Sequence, residues 1–240
     1  MINNFLKDIL FNFLINHKIS KEQNNILKKI NNLTMTSIRA KLNLIEAVNY
    51  INFNNIDGDM IECGVWKGGN LILMNELNEK DKKIIGYDTF DGHLKNQFIN
   101  EENLFFNISS NFFYKIAQIK NFLTHKKWNY ASIKNVEENI QRFCSNAKNI
   151  KLIKGDITKT LNLEENLPKK IALLRLDTDW YEPTSVSLKK LFPLLSKGGV
   201  LIIDDYGTWS GCKKAVDEYF GNGIKQLFNV DHSVKFLIKY

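Results

Sequence analysis

Hydrophobic positions along the chain alternate between two rhythms. Short, mainly apolar runs occupy residues 60–63, 84–87, 150–154, 171–176 and 200–203, and each stops at a glycine or an aspartate: Gly64, Asp88, Gly155, Asp177 and Asp204. Runs of this kind, bounded by turn residues, predict strands buried on both faces. The segments between them carry helical spacing. The clearest stretch is 173–207, where a strand ends at Asp177, a helix is predicted over 183–195, Ser196-Lys197-Gly198-Gly199 closes it, and a second strand ends at Asp204-Asp205. Strand, helix, strand forces two parallel neighbours. Two last strands, 227–230 and 234–240, are joined too tightly around Asp231-His232 to be parallel. The pattern predicts an α/β fold: a doubly wound, mostly parallel sheet with a terminal antiparallel pair and helices on both faces.

Ahead of the sheet the spacing is helical. Ile2, Phe5, Leu6, Ile9, Leu10, Phe13 and Leu14 form one amphipathic stripe, and Ile26, Leu27, Ile30 and Leu33 a second. Thr36 or Ser37 caps a third helix that buries Ile38, Leu42, Ile45, Val48 and Ile51. Residues 1–56 are therefore expected as a helical appendage and 57–240 as the main domain. Regularity fails over about 92–130, a stretch rich in Phe, Tyr and Trp. It exceeds what a crossover needs and is expected to form a lid, with an oligomer contact as the alternative.

Composition narrows the picture little. The chain has 240 residues, 44% hydrophobic and 25% charged, and only 3 prolines. Its net charge of +7 comes from scattered lysines, so no nucleic-acid face is expected. Cys63, Cys144 and Cys212 lack metal spacing and read as reduced thiols of a cytoplasmic protein. No run is long enough to cross a membrane. The abundance of Asn, Lys, Ile and Phe points to an AT-rich genome.

The candidate chemistry sits at the strand ends. Asp177, Asp204 and Asp205 share one sheet edge, where open α/β sheets bind ligands. Close carboxylates repel unless a cation, a shared proton or separate donors stand between them. Simple caps are the plain alternative; as ligands, hard oxygens suit Mg2+ or Ca2+. The turn Gly64-Val65-Trp66-Lys67-Gly68-Gly69 lets a ligand approach the backbone. It lacks G-x-G-x-x-G, which disfavours a dehydrogenase. Asp88, about 20 residues further on, is placed where an acid can hold a ribose diol.

With these residues in view, the chain resembles the TylF-type macrocin O-methyltransferases of class I architecture. The resemblance rests on residues 59–69, on Tyr87-Asp88-Thr89-Phe90-Asp91-Gly92, on 174–182 and on Ile203-Asp204-Asp205-Tyr206-Gly207, with Thr34-Met35 and 212–219 in support. It implies S-adenosylmethionine as methyl donor, Mg2+, and a sugar hydroxyl as acceptor. It places Thr34, Met35, Glu62, Gly64, Val65, Trp66, Asp88, Thr89, Phe90, Asp156 and Asp177 around the donor. Glu62 and Gly64 line the methionine end, Asp88 holds the ribose, Thr89 and Phe90 flank it, and Asp156 faces the adenine amino group. Asp177, Asp204 and Asp205 hold the metal. Metal-dependent relatives acting on catechols place a lysine just after the first metal aspartate; here Asp179-Trp180 stands there. Asp179 is accordingly expected as general base, beside Asp177, with His93, His125 and His232 as alternatives.

The acceptor is expected to be a sugar of a nucleotide sugar or a surface glycan, methylated in a capsule or glycan pathway. Catechol-like or macrolide-type acceptors are the alternatives, and an inactive adapter is the non-enzymatic one. The stripe at 2–14 predicts packing on protein, in a homodimer or higher homo-oligomer, with no stable membrane insertion. Deleting residues 1–14 should change the mass in solution measured by light scattering; an unchanged mass and melting temperature would refute that.

Overall fold

The computed structural model describes residues 19–94, 97, 100–124, 127–221 and 226–240. The helix expected over 2–14 lies outside the described residues, as does His125. Two helices come first, α1 (Lys21–Ile30) and α2 (Ile38–Phe53). Ser20 and Gln23 cap α1 reciprocally, each side chain accepting the other's backbone N–H. Ser37 caps α2 by accepting the Ala40 N–H, which leaves Thr36 for a different task.

Nine strands are present among the described residues. They are β1 (Asp59–Cys63), β2 (Ile84–Asp88), β3 (Glu102–Asn103), β4 (Ile108–Ser109), β5 (Ile150–Lys154), β6 (Ile171–Leu176), β7 (Leu195–Ile203), β8 (Phe228–Asn229) and β9 (Lys235–Ile238). Seven form one sheet in the order β5-β2-β1-β6-β7-β9-β8. The first five in that order run parallel; β9 is antiparallel to β7, and β8 to β9. This is the doubly wound sheet with its terminal antiparallel pair. From β1 the chain winds outward through β2 to β5, then returns to β6 on the other side. That reversal opens a crevice between β1 and β6 at the carboxyl ends.

Further helices are α3 (Gly69–Glu76), α4 (Ser110–Thr124), α5 (Ile133–Phe143), α6 (Ile157–Thr160), α7 (Tyr181–Leu191) and α8 (Ser210–Phe220). Neighbouring strand residues serve opposite faces, as the pleat requires. Met60, Leu173 and Ile202 join Ile30, Leu44, Ile45, Ile72 and Val136, from α1, α2, α3 and α5. Ile61, Leu174 and Ile203 join Ile157, Leu188 and Val216, from α6, α7 and α8. The first two described helices thus share one hydrophobic cluster with the sheet.

Two local expectations change. The helix predicted to Leu195 stops at Leu191, because Pro193 sits in a 3-10 turn, Phe192–Leu194. Ser196-Lys197-Gly198-Gly199 then lies inside β7 rather than in a turn. The strand bulges there, since Leu195 faces Ile171 while Val200 faces Leu173. Lys239 holds the bulge, accepting the Gly198 N–H at 2.6 Å and donating to Gly199 O at 2.9 Å.

The aromatic insert is more regular than expected, with the β3–β4 hairpin followed by α4. It is also fastened. Glu101 is buried, and its carboxylate accepts the Tyr181 N–H at 2.8 Å and the Gly211 N–H at 3.1 Å, capping the starts of α7 and α8 together. A Cβ on Gly211 would lie 2.0 Å from that carboxylate, so any larger residue would push it off its cap. The Glu102 N–H donates to Ser210 Oγ and the Leu104 N–H to Thr208 O. Glu101→Ala removes two caps at once and should lower stability by about 1–3 kcal/mol in urea denaturation. A variant as stable as the parent would show that Glu101 does not hold the insert.

Candidate active site

The carboxyl edge of the sheet carries two adjoining cavities. One runs past Gly64, Trp66, Asp88, Thr89, His93, Gly155 and Asp179. The other runs past Thr34, Val65, Asp204, Asp205, Asp231 and His232. Met35, Trp66, Asn129, Asp177 and Asp179 line both, so the two meet at these residues.

The first cavity is built by the β1–α3 turn. Gly64 has φ 90, and a Cβ there would lie 1.8 Å from Asp177 O, so glycine alone lets β6 pass this close. Gly68 (φ 88) starts α3. Asp88 closes the turn from β2: its carboxylate accepts the Val65 N–H at 2.7 Å, the Trp66 N–H at 2.9 Å and the Phe90 N–H at 2.7 Å. Burial raises its pKa, and these three N–H groups oppose the rise. Asp88 does line the cavity, but three backbone N–H groups of the protein already occupy its oxygens.

Three other expected residues line neither cavity. Glu62 is almost fully buried, its carboxylate taking Arg175 Nη1 at 2.7 Å and Asn70 Nδ2 at 3.1 Å. Phe90 is buried at φ 49 and reaches the site only through its N–H on Asp88. Asp156 caps α6, accepting the Thr158 N–H, the Thr158 hydroxyl and Gln97 Nε2 at 3.1 Å. Gln97, which the sequence did not single out, lines the cavity in its place.

The second feature is acidic. Asp177, Asp179 and Asp205 each offer an oxygen within 4.8 Å of the others. Asp179 therefore stands in the close group where Asp204 was expected. Asp204 turns instead to Arg175, whose Nη2 lies 3.0 Å from its Oδ1. Burial raises Asp204 to about 7 against that attraction. Burial and mutual repulsion push Asp179 and Asp205 well up. Asp179 holds φ 59, a conformation that side chains rarely adopt. His93 lies beside it, Nε2 to Oδ2 3.8 Å, and burial lowers the imidazole to about 4, so it is neutral near pH 7. His232 lines the second cavity, which Asp179 also lines.

The profile described as macrocin-O-methyltransferase (TylF) matches residues 28–238. The chain belongs to the TylF macrocin O-methyltransferase family. It is similar to the demethyldecarbamoylnovobiocin O-methyltransferase of Streptomyces niveus, 30% identical over 78% of this chain and 67% of that one. The 8-demethyl-8-(2,3-dimethoxy-alpha-L-rhamnosyl)-tetracenomycin-C 4'-O-methyltransferase of Streptomyces olivaceus is 26% identical over the same shares. Among solved structures, the O-methyltransferase NovP superposes with a TM-score of 0.69 at 27% identity, covering 86% of this chain and 82% of that one. The calicheamicin methyltransferase CalS11, at 21% identity, shares the fold with a TM-score of 0.58, covering 96% and 90%. This chain is thus an O-methyltransferase of the TylF family with the class I sheet.

Another site residue of this TylF chain, besides Gln97, had no expected role. Arg175 is 1% exposed near the carboxyl end of β6, and binds Glu62, Asp177 and Thr36 as well as Asp204. The available signal was a charge inside the apolar run Leu173-Leu174-Arg175-Leu176. Despite Arg175, burial holds Glu62 up to about 8, and its second oxygen has no hydrogen-bond partner. Between an unfolded value of 4.5 and 8, the folded chain keeps a proton that the unfolded chain loses. The contribution is complete below pH 4.5 and is lost as pH rises towards 8, by at most about 1.4 kcal/mol per pH unit. Glu62→Gln should flatten the fall in stability of the cation-free protein between pH 5 and pH 8. An unaltered slope in urea titrations would show Glu62 to be ionised throughout.

Proposed function

We propose that this chain transfers the methyl group of S-adenosylmethionine to a hydroxyl of a sugar, nucleotide-linked or part of a surface glycan, with Mg2+ assisting. The observation that carries the reading is the meeting of a glycine-turn cavity and an acidic cavity at Asp177 and Asp179. The names of the relatives support the acceptor class: the Streptomyces olivaceus enzyme acts at a 4' position of a rhamnosyl compound, and one CalS11 structure is described as a TDP-rhamnose 3'-O-methyltransferase. The free cysteines fit a cytoplasmic reaction. Among the described residues no helix is long and apolar enough to cross a membrane.

The donor set fits a hard cation. Oδ2 of Asp205 is buried without a hydrogen-bond partner, the grouped oxygens of Asp177, Asp179 and Asp205 are all carboxylate, and Asp204 stands beside them with Oδ1 on Arg175. Asp177, Asp204 and Asp205 would hold Mg2+, with an Asp179 oxygen close to those of Asp177 and Asp205. When bound, the cation lowers the pKa of a hydroxyl that faces it.

The chain's own residues supply the rest. The turn after Gly64, tied by Asp88, shapes the donor cavity. Trp66 and Met35 border the place where hydroxyl and methyl must come into line, since positioning supplies much of the acceleration in such transfers. Asp179 takes the hydroxyl proton, and burial among acids makes its carboxylate a stronger base than an exposed one.

Incubation with labelled S-adenosylmethionine and a panel of nucleotide sugars, catechols and RNA tests the reading; labelling of catechol or RNA alone would refute it. Chelation should stop transfer and Mg2+ restore it. Asp204→Asn and Asp205→Asn should lower kcat by about a hundredfold or more, with donor affinity held within about threefold by calorimetry. Full turnover in chelator by either variant would remove the metal from the reaction. Asp88→Ala should weaken donor binding several-fold to about a hundredfold, because the turn loses its tie. Unchanged affinity would remove Asp88 from the donor site.

A further inference from the structure

Asn129 stands where the two cavities meet, on the short link between the insert and α5. Its backbone is left-handed, φ 51, which asparagine tolerates better than most residues. Its side-chain amide lies 2.8 Å from Nε2 of His93, and Nδ1 of the same ring lies 3.2 Å from Nε1 of Trp180. An indole N–H only donates, so Nδ1 must be bare and the neutral ring carries its proton on Nε2. Two donors cannot face each other across 2.8 Å. The amide atom beside His93 is therefore the carbonyl oxygen, since only such networks distinguish the two ends of an amide. The NH2 end then turns away from His93. Trp128 and Trp180 pack edge-on against the imidazole, centroids 4.6 and 5.1 Å away, and keep the ring from exchanging its nitrogens.

We propose that Asn129 determines acceptor specificity: its amide N–H, aimed by the Trp180–His93 pair, donates to an oxygen of the acceptor sugar at the junction. The proposal rests on the sugar acceptor of the proposed function. The other polar side chains lining both cavities, Asp177 and Asp179, are carboxylates that take protons from hydroxyls. A sugar hydroxyl both donates and accepts. One that has given its proton to Asp179 carries three lone pairs, and a bound cation would leave two of them free. The Asn129 N–H occupies one and leaves the other to face the methyl group. His93 acts here as a positioning residue through Asn129, and not as the base, because its bare nitrogen already faces Trp180.

Two measurements on the full chain test this. Long-range proton–nitrogen NMR spectra should show His93 bare at Nδ1 and protonated at Nε2; the opposite tautomer overturns the proposal. Asn129→Asp keeps an oxygen for the His93 N–H and removes the N–H offered to the sugar. With TDP-rhamnose as acceptor, its KM should rise about three- to tenfold, with S-adenosylmethionine affinity unchanged and the His93 tautomer retained. Asn129→Ala should show the same rise with the tautomer still held by Trp180. An unchanged KM, or lost donor affinity in its place, overturns the proposal. A parent enzyme that methylates no sugar sinks the acceptor role along with the proposed function, and the NMR result then tells that failure apart from a failure of the Trp180–His93 relay.

Discussion

The buried guanidinium of Arg175 is the interaction on which the site depends. A cation buried in a strand is unfavourable unless its N–H groups and its charge are both met. Here Glu62 from β1, Asp177 at the end of β6, Asp204 at the end of β7 and Thr36 ahead of α2 meet it. Three strands and the entry to a helix thus converge on one side chain. Thr36 can serve because Ser37 takes over the capping of α2. The carboxylates in turn need Arg175, since without it Glu62, Asp177 and Asp204 would face one another uncompensated. That mutual requirement sets the acidic edge before any ligand arrives.

One cation does not neutralise the whole edge. Asp179 and Asp205 stay close to Asp177 with no lysine or arginine of their own among the described residues, and that repulsion tends to splay the loops after β6 and β7. Packing and capping from outside oppose it. Trp180 is buried next to Asp179 and packs on Trp209 at 4.8 Å, joining the loop after β6 to the loop after β7. Glu101 then caps the helix that follows each loop. The insert therefore acts as a buttress at its hairpin end.

The doubly wound sheet, its terminal antiparallel pair and the acidic residues at its carboxyl edge were legible in the sequence because they rest on strong signals. Apolar runs ending in Gly or Asp define parallel strands, and the strand ends define one edge. Harder to read were features set by three-dimensional partners. Whether Ser196-Lys197-Gly198-Gly199 is a turn or a bulged strand depends on Lys239 lying alongside, which no local pattern reveals. The helix 110–124 was hidden because its apolar positions do not all face a core: Phe112 and Ile119 are exposed. Arg175 was visible as a charge in an apolar run, but its role follows only from the acids on the flanking strands. Asn129 carried no signal at all, being one asparagine in a chain full of them.

The expected donor-site acids show a further gap between motif and contact. Asp88, Glu62 and Asp156 stand in the motifs that place a ligand, yet each spends its carboxylate on the protein itself. Asp88 gathers the N–H groups of the glycine turn, Glu62 anchors Arg175, and Asp156 caps α6 and fixes Gln97. A buried carboxylate that accepts backbone N–H groups makes a rigid corner, because moving it would strand several donors at once. Sequence motifs record that such a corner is required, without saying whether the acid touches the ligand or holds the groups that do. Met35, Trp66 and Asn129, unlike Asp177, border both cavities without anchoring Arg175. They are therefore where differences in acceptor can be accommodated without disturbing the donor turn or the acidic edge.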